Sequence, residues 1–149
     1  MTGFGALSWK IPTTVASFDQ SDVEQCKLFA KQQFELSEIQ KDGTSLRDQL
    51  LNVERQTGIK PKELQDLVEL PEVFSSCWSW FLDLNSARTS GAMAPNPITF
   101  TEMKCYFDLM EIQPEPWEVH IIKMLDSIAL GISEKKLKQS QDTKTRKTK

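Results

Sequence analysis

With 149 residues, 39% of them hydrophobic and 26% charged, the chain is long enough to bury the core of one domain without disulfides or metal, and too apolar to be disordered throughout. The net charge of −3 hides an asymmetry: seven Lys or Arg against Glu134 and Asp142 leave +5 on residues 132–149, so residues 1–131 carry −8. An acidic body repels phosphate backbones, which excludes nucleic acid as the main ligand unless the basic tail alone makes the contact.

Residues 1–20 hold Gly3, Gly5, Pro12 and a Ser/Thr-rich stretch without a sustained period, and they read as an extended arm with one large anchor, Trp9. Ser21 and Glu24 have capping-box spacing, which predicts a helix from about Asp22 to Gln40 with Val23, Cys26, Phe29, Ala30 and Phe34 near one face. Asp42-Gly43-Thr44 breaks it. Leu46, Leu50 and Val53 mark a second helix ending at Gly58, a residue suited to a left-handed cap. Pro61 blocks continuation, Lys62 to Leu70 is predicted to add a turn or two, and Pro71 to open the next helix.

From Pro71 to about Ala87, Val73, Phe74, Cys77, Trp78, Trp80, Phe81, Leu82 and Leu84 cover well over half of a helix circumference, so this helix is predicted to be central. Gly91, Pro95 and Pro97 then preclude regular structure. Thr99 and Glu102 repeat the capping-box spacing and open a helix lined on one side by Phe100, Met103, Tyr106, Phe107 and Met110. Pro114 and Pro116 separate it from a last helix striped by Trp117, Ile121, Met124, Leu125 and Ile128, with Gly131 as its stop. The Lys/Gln/Ser/Thr-rich remainder reads as a disordered basic tail. The fold class is all-α: an extended arm over residues 1–20, a compact helical domain of about five helices over 21–131, and a flexible tail over 132–149.

Chemistry-bearing patterns are sparse. The one histidine, His120, and three scattered cysteines give no zinc spacing, and no Gly-rich phosphate loop occurs, so no catalytic residue, metal or cofactor is expected. Cys26, Cys77 and Cys105 lie far apart in apolar runs, the pattern of free thiols in a reducing, cytoplasmic compartment. No apolar window is long enough to span a bilayer. Binding to other proteins is the remaining role, with aromatic side chains as its natural anchors. Trp78 and Trp80 stand about 200° apart on a helix, so one should face the core and the other the periphery; Trp78 is assigned to the core and Trp80 to either core or partner contact. Arg88 reads first as a charge at a helix C-terminus, with Glu102 and Asp126 as alternative partners. The candidate partner contacts are Trp9, Trp78, Trp80, Phe81, Arg88 and Trp117.

Taken in order, residues 44–131 contain Leu46-Arg47-Asp48-Gln49-Leu50, Arg55-Gln56-Thr57-Gly58, Leu70-Pro71-Glu72, Trp78-Ser79-Trp80-Phe81-Leu82-Asp83-Leu84, Arg88, Pro95-Asn96-Pro97-Ile98-Thr99, Glu102, Pro116-Trp117-Glu118 and Leu125-Asp126. This order resembles the tail assembly chaperones of tailed bacteriophages. The resemblance implies a non-catalytic protein of the host bacterial cytoplasm that holds the tape-measure protein, recruits tail-tube subunits and leaves before the particle matures. A homo-oligomer is compatible with it. Two other readings stay open: a structural virion component such as a connector or minor tail protein, and a small nucleic-acid-associated regulator using the basic tail. Residues 1–43 lie outside the resemblance and stand as a candidate client-binding segment.

Overall fold

The structure is a computed structural model that describes residues 18–147. Six α-helices span the described residues: α1 Gln20–Leu36, α2 Leu46–Thr57, α3 Lys62–Gln65, α4 Ser75–Ser86, α5 Phe100–Leu109 and α6 Pro116–Lys147. A 3-10 turn, Glu72–Phe74, leads from Pro71 into α4. The all-α class holds: outside the helices, strand-like pairing among the described residues is limited to the isolated bridges Ile39–Ser45 and Ser90–Pro95.

Local chemistry sets most of the boundaries. Thr99 and Glu102 form the expected reciprocal cap of α5, and Gly58 closes α2 at φ +70°. The start of α1 is corrected by two residues. Asp19 accepts from the Asp22 amide at 3.1 Å and Asp22 accepts from the Asp19 amide at 3.0 Å, so two aspartates make the box expected of Ser21 and Glu24. Helix α1 also ends at Leu36 instead of Gln40, because the chain turns back on itself. Gln40 N–H donates to Thr44 O at 2.8 Å, and Gly43 takes φ +83°. Helix α5 ends in a double turn in which Ile112 N–H reaches Phe107 O and Glu111 N–H reaches Asp108 O. Glu111 holds the left-handed position there at φ +55°, where glycine is usual.

A further boundary is corrected at the other end. Gly131, read as the stop of the last helix, lies inside α6, which is described to Lys147. No proline follows Gly131, and Lys135 to Gln139 are good helix formers reinforced by a Glu134–Lys138 pair at 2.7 Å, four residues apart.

Helix α6 runs against both α1 and α4, and these are the two most extensive helix pairings. Their shared core contains Cys26 and Ala30 of α1, Cys77 and Phe81 of α4, and Ile121, Ile122 and Leu125 of α6, with Phe74 and Ile98 plugging the ends. Each large apolar side chain removed from water here stabilises the fold by about 1.5–3 kcal/mol before entropy is counted. Helix α1 is also stitched to residues 66–69. Gln25 donates to Glu69 O at 2.8 Å, and Gln32 both donates to Asp66 O at 2.9 Å and accepts from the Val68 amide at 3.0 Å. By contrast α2 buries no residue, and Arg47 ties it to Gln33 of α1 at 2.6 Å.

Candidate partner-binding site

Helix α4 carries the aromatic candidates, and its packing separates them. Phe81 is fully buried, with the Phe34 ring 5.5 Å and the Trp78 ring 5.9 Å away. Trp78 turns toward α1, 5.0 Å from Phe29 in an edge-on contact and 5.5 Å from Phe34. Trp80 turns the other way, edge-on to Phe107 of α5 at 5.3 Å. The two tryptophans thus part as helix geometry requires, but both are half-buried and both pack on the core. Trp117 is buried between Phe18, at 4.9 Å, and Phe74, at 6.2 Å; its indole N–H has no hydrogen-bond partner. Trp9 lies outside the described residues.

Arg88 differs most from its first reading. It is not a solvated charge at a helix end; its side chain is 10% exposed, and Nη2 lies 2.6 Å from Asp126 Oδ1, whose side chain is 2% exposed. The guanidinium also donates from Nε to Asn85 Oδ1 at 2.9 Å and from Nη1 to Asn96 O at 2.8 Å. Asp126 Oδ2 accepts the Ile98 amide at 3.0 Å, while Lys123 donates to Ile98 O at 2.7 Å. Both backbone groups of Ile98 are therefore satisfied by α6 side chains as its own side chain enters the core. One clasp joins the end of α4, the linker into α5 and the middle of α6. Arg88, Asn96, Ile98, Glu102 and Asp126, which looked like scattered pattern positions, belong to this device or to the adjoining cap. Glu102 is held below the usual carboxylate range, first by the Thr99 amide and then by its hydroxyl.

Three other ionisable groups near α4 have raised pKa values. Burial pushes the Cys26 and Cys77 thiols up to about 12, and for Cys77 the nearby Glu118 and Cys26 add to it. Tyr106 is also raised to about 12, first by burial and then by its 2.6 Å hydrogen bond to Asp83. These shifts favour the neutral forms and make the two core thiols inert as nucleophiles. Among the described residues, no group of three or more His, Cys, Asp or Glu side chains converges to hold a metal ion, and no helix is long and apolar enough to cross a membrane. His120 is exposed on α6.

The accessible apolar surface lies elsewhere. Phe100 and Met110 were expected on the inner face of α5, but only Met103 and Phe107 are buried there. The first and last turns project past the core, leaving Phe100 57%, Leu109 83% and Met110 54% exposed. Beside Phe100 a hollow of about 310 Å³ is lined by Met103, Phe107, Ile112 and Val119, and Lys123 sits 5.2 Å from the Phe100 ring centre. A second, larger groove of about 520 Å³ lies between the end of α1, the loop after α4 and residues 129–136 of α6. Phe34, Ile39, Pro95, Leu130 and Ile132 line it, and a Lys136–Glu38 ion pair of 3.1 Å adjoins it. Sequence reasoning missed the first surface because helical periodicity reports a face and not how far along the helix the partner extends.

Residues 53–131, more than half of the chain, match the family described as phage tail assembly chaperone. The matched segment begins in the second half of α2 and contains α4, α5, the whole Arg88–Asp126 clasp and the first half of α6; α1 falls outside it. No curated protein and no solved structure matches the chain.

Proposed function

Because the chain belongs to the phage tail assembly chaperone family, we propose that it acts without catalysis, in the host bacterial cytoplasm, by binding the tape-measure protein, the tail-tube protein or both while the tail is built. The observation that carries this reading is the family match over the segment that holds α4, α5 and the clasp. The surface chemistry supports it. A chaperone for an aggregation-prone client needs exposed apolar anchors on a charged body, and Phe100 at the start of α5 with Leu109 and Met110 at its end are such anchors on an acidic one.

The test is a tagged pull-down from cells co-expressing this protein with the tape-measure and tail-tube proteins of its own gene neighbourhood, read by mass spectrometry. Recovery of either partner, together with absence of the chaperone from purified virions, is expected. Stoichiometric presence in virions would instead make it a structural component with a permanent symmetric contact.

A further inference from the structure

Helix α1 fills the centre of the fold although it lies outside the segment that defines the family. The walls it rests on, with Cys77, Trp78 and Phe81 on α4 and the Leu125 face of α6, lie within that segment. On the chaperone reading above, we propose that the groove between α4 and α6 receives an amphipathic helix of a tail protein, and that α1 is its resident occupant, displaced when the client helix docks.

The seat shows what kind of helix it accepts. Val23, Cys26 and Ala30, spaced three and four residues apart, put small side chains against the groove, while Phe29 and Phe34 meet the aromatic wall of Trp78 and Phe81. This is the helix-in-groove mode, read by side chains at i, i+3 and i+7. A client helix with small residues at that spacing and an aromatic beside them presents the same face.

The polar attachments of α1 are of a kind that water replaces readily. Gln25 and Gln32 bind backbone groups of residues 66–69, mostly at exposed positions, and Lys136 meets Glu38 just past the end of α1 on a partly exposed pair. The outer face carries Leu28, which is 46% exposed. Beyond α1 the chain passes through the Asp42-Gly43 turn into α2, which buries none of its residues. Displacement about the Gly58–Pro61 link therefore costs the buried contacts of Val23, Cys26, Ala30 and Leu36 on α1 and the ring contacts of Phe18 with Phe74 and Trp117, but draws no α2 side chain from a buried site.

A resident helix on a short tether competes at an effective concentration on the order of millimolar, so a helix added in trans binds weakly until the resident is loosened. Gln32→Ala loosens it, removing two of its ties and none of the groove wall. The probe is a fluorescein-labelled peptide of residues 19–37 carrying Cys26→Ala, titrated into the full-length protein and followed by anisotropy. Saturable binding about tenfold tighter to Gln32→Ala than to the natural chain is expected, with no binding by a peptide carrying Ala30→Glu. Thiol modification read by mass spectrometry distinguishes exchange from unfolding. Exposed Cys105 reacts at once in every sample, and bound peptide should expose Cys26 while keeping Cys77 covered.

Absence of saturable binding to either chain, or modification of Cys26 and Cys77 together at the rate of global unfolding, overturns the proposal. Recovery of a tail protein in the pull-down that the peptide fails to release from the Gln32→Ala protein leaves the chaperone reading standing and removes the groove as its site.

Discussion

Helices α2 and α4 are each 12 residues long and are held in opposite ways. Helix α2 has a reciprocal Ser45–Asp48 cap at its start, a left-handed Gly58 at its end and Arg55 in its last turn, yet no residue of it is buried. Helix α4 has no side-chain cap, no acidic residue in its first turn and no basic residue in its last, yet Cys77, Phe81 and Leu84 are buried. An isolated helix of this length is marginal in water. Caps are therefore the main support of α2, whereas tertiary packing makes them dispensable in α4. Helices α1 and α5 have both, a reciprocal cap and a buried face, so a local capping signal marks a helix start without telling how deeply the helix is packed.

Core truncation tests this contrast most severely. Phe81→Ala is expected to cost about 3–5 kcal/mol in urea unfolding followed by circular dichroism, because a fully buried ring leaves a cavity among Phe34, Trp78 and the α6 face. Leu51→Ala on α2 should stay within about 0.5 kcal/mol. Comparable losses from the two would break the comparison. Next in size is the clasp: Asp126→Ala strands the Arg88 guanidinium and the Ile98 amide in the interior and is expected to cost about 3 kcal/mol. Asp126→Asn, which keeps an acceptor for Ile98, should cost less.

A third effect separates the core from the periphery by pH. Cys26 and Cys77 hold their protons to about 12 in the folded chain, whereas unfolded thiols lose theirs at about 8.5–9. Above about pH 9 the unfolded state thus binds fewer protons than the native one, and stability falls as pH rises. Tyr106, raised to about 12, adds to the fall above about pH 10. Urea midpoints measured under reducing conditions at pH 7.5, 8.5 and 9.5 should decline across the series. The Cys26→Ala/Cys77→Ala double variant should flatten the decline up to pH 9.5, whatever it costs in absolute stability.

The same contrast governs what was legible in the sequence. The Thr99–Glu102 box, Gly58 and the apolar saturation of α4 are local or compositional signals, and each places its element correctly. The start of α1 was misplaced because two capping-box spacings overlap there, and only the backbone decides between Asp19 with Asp22 and Ser21 with Glu24. Gly131 misled because a glycine stops a helix through its backbone angle, which residue identity alone does not fix; positive φ is found at Gly43 and Gly58 but not at Gly131. Asp126 was noted only as one of two partners for Arg88, because a pairing across 38 positions leaves no local trace. The exposed Phe100 and Met110 differ from the buried Met103 and Phe107 only in distance from the helix ends, which periodicity does not weigh.

The smallest expected effect is also the most discriminating, because it asks whether α2 folds with the core or on its own. Ser45 accepts the Asp48 amide at 3.1 Å and donates to Asp48 Oδ2 at 2.6 Å, so Ser45→Ala removes a working cap at a cost of about 1 kcal/mol. If caps are what hold α2, that loss falls on local opening: amide exchange within residues 46–57 should speed up about fivefold while the global urea midpoint stays fixed. Thr99→Ala is the matched control. It removes the same kind of box from α5, but Met103 and Phe107 bind that helix into the core, so the loss should appear in global unfolding instead. A global destabilisation of equal size from both variants would mean that α2 melts with the core through its Arg47–Gln33 contact. In that case α1 and α2 could not swing away as a unit without opening the whole fold.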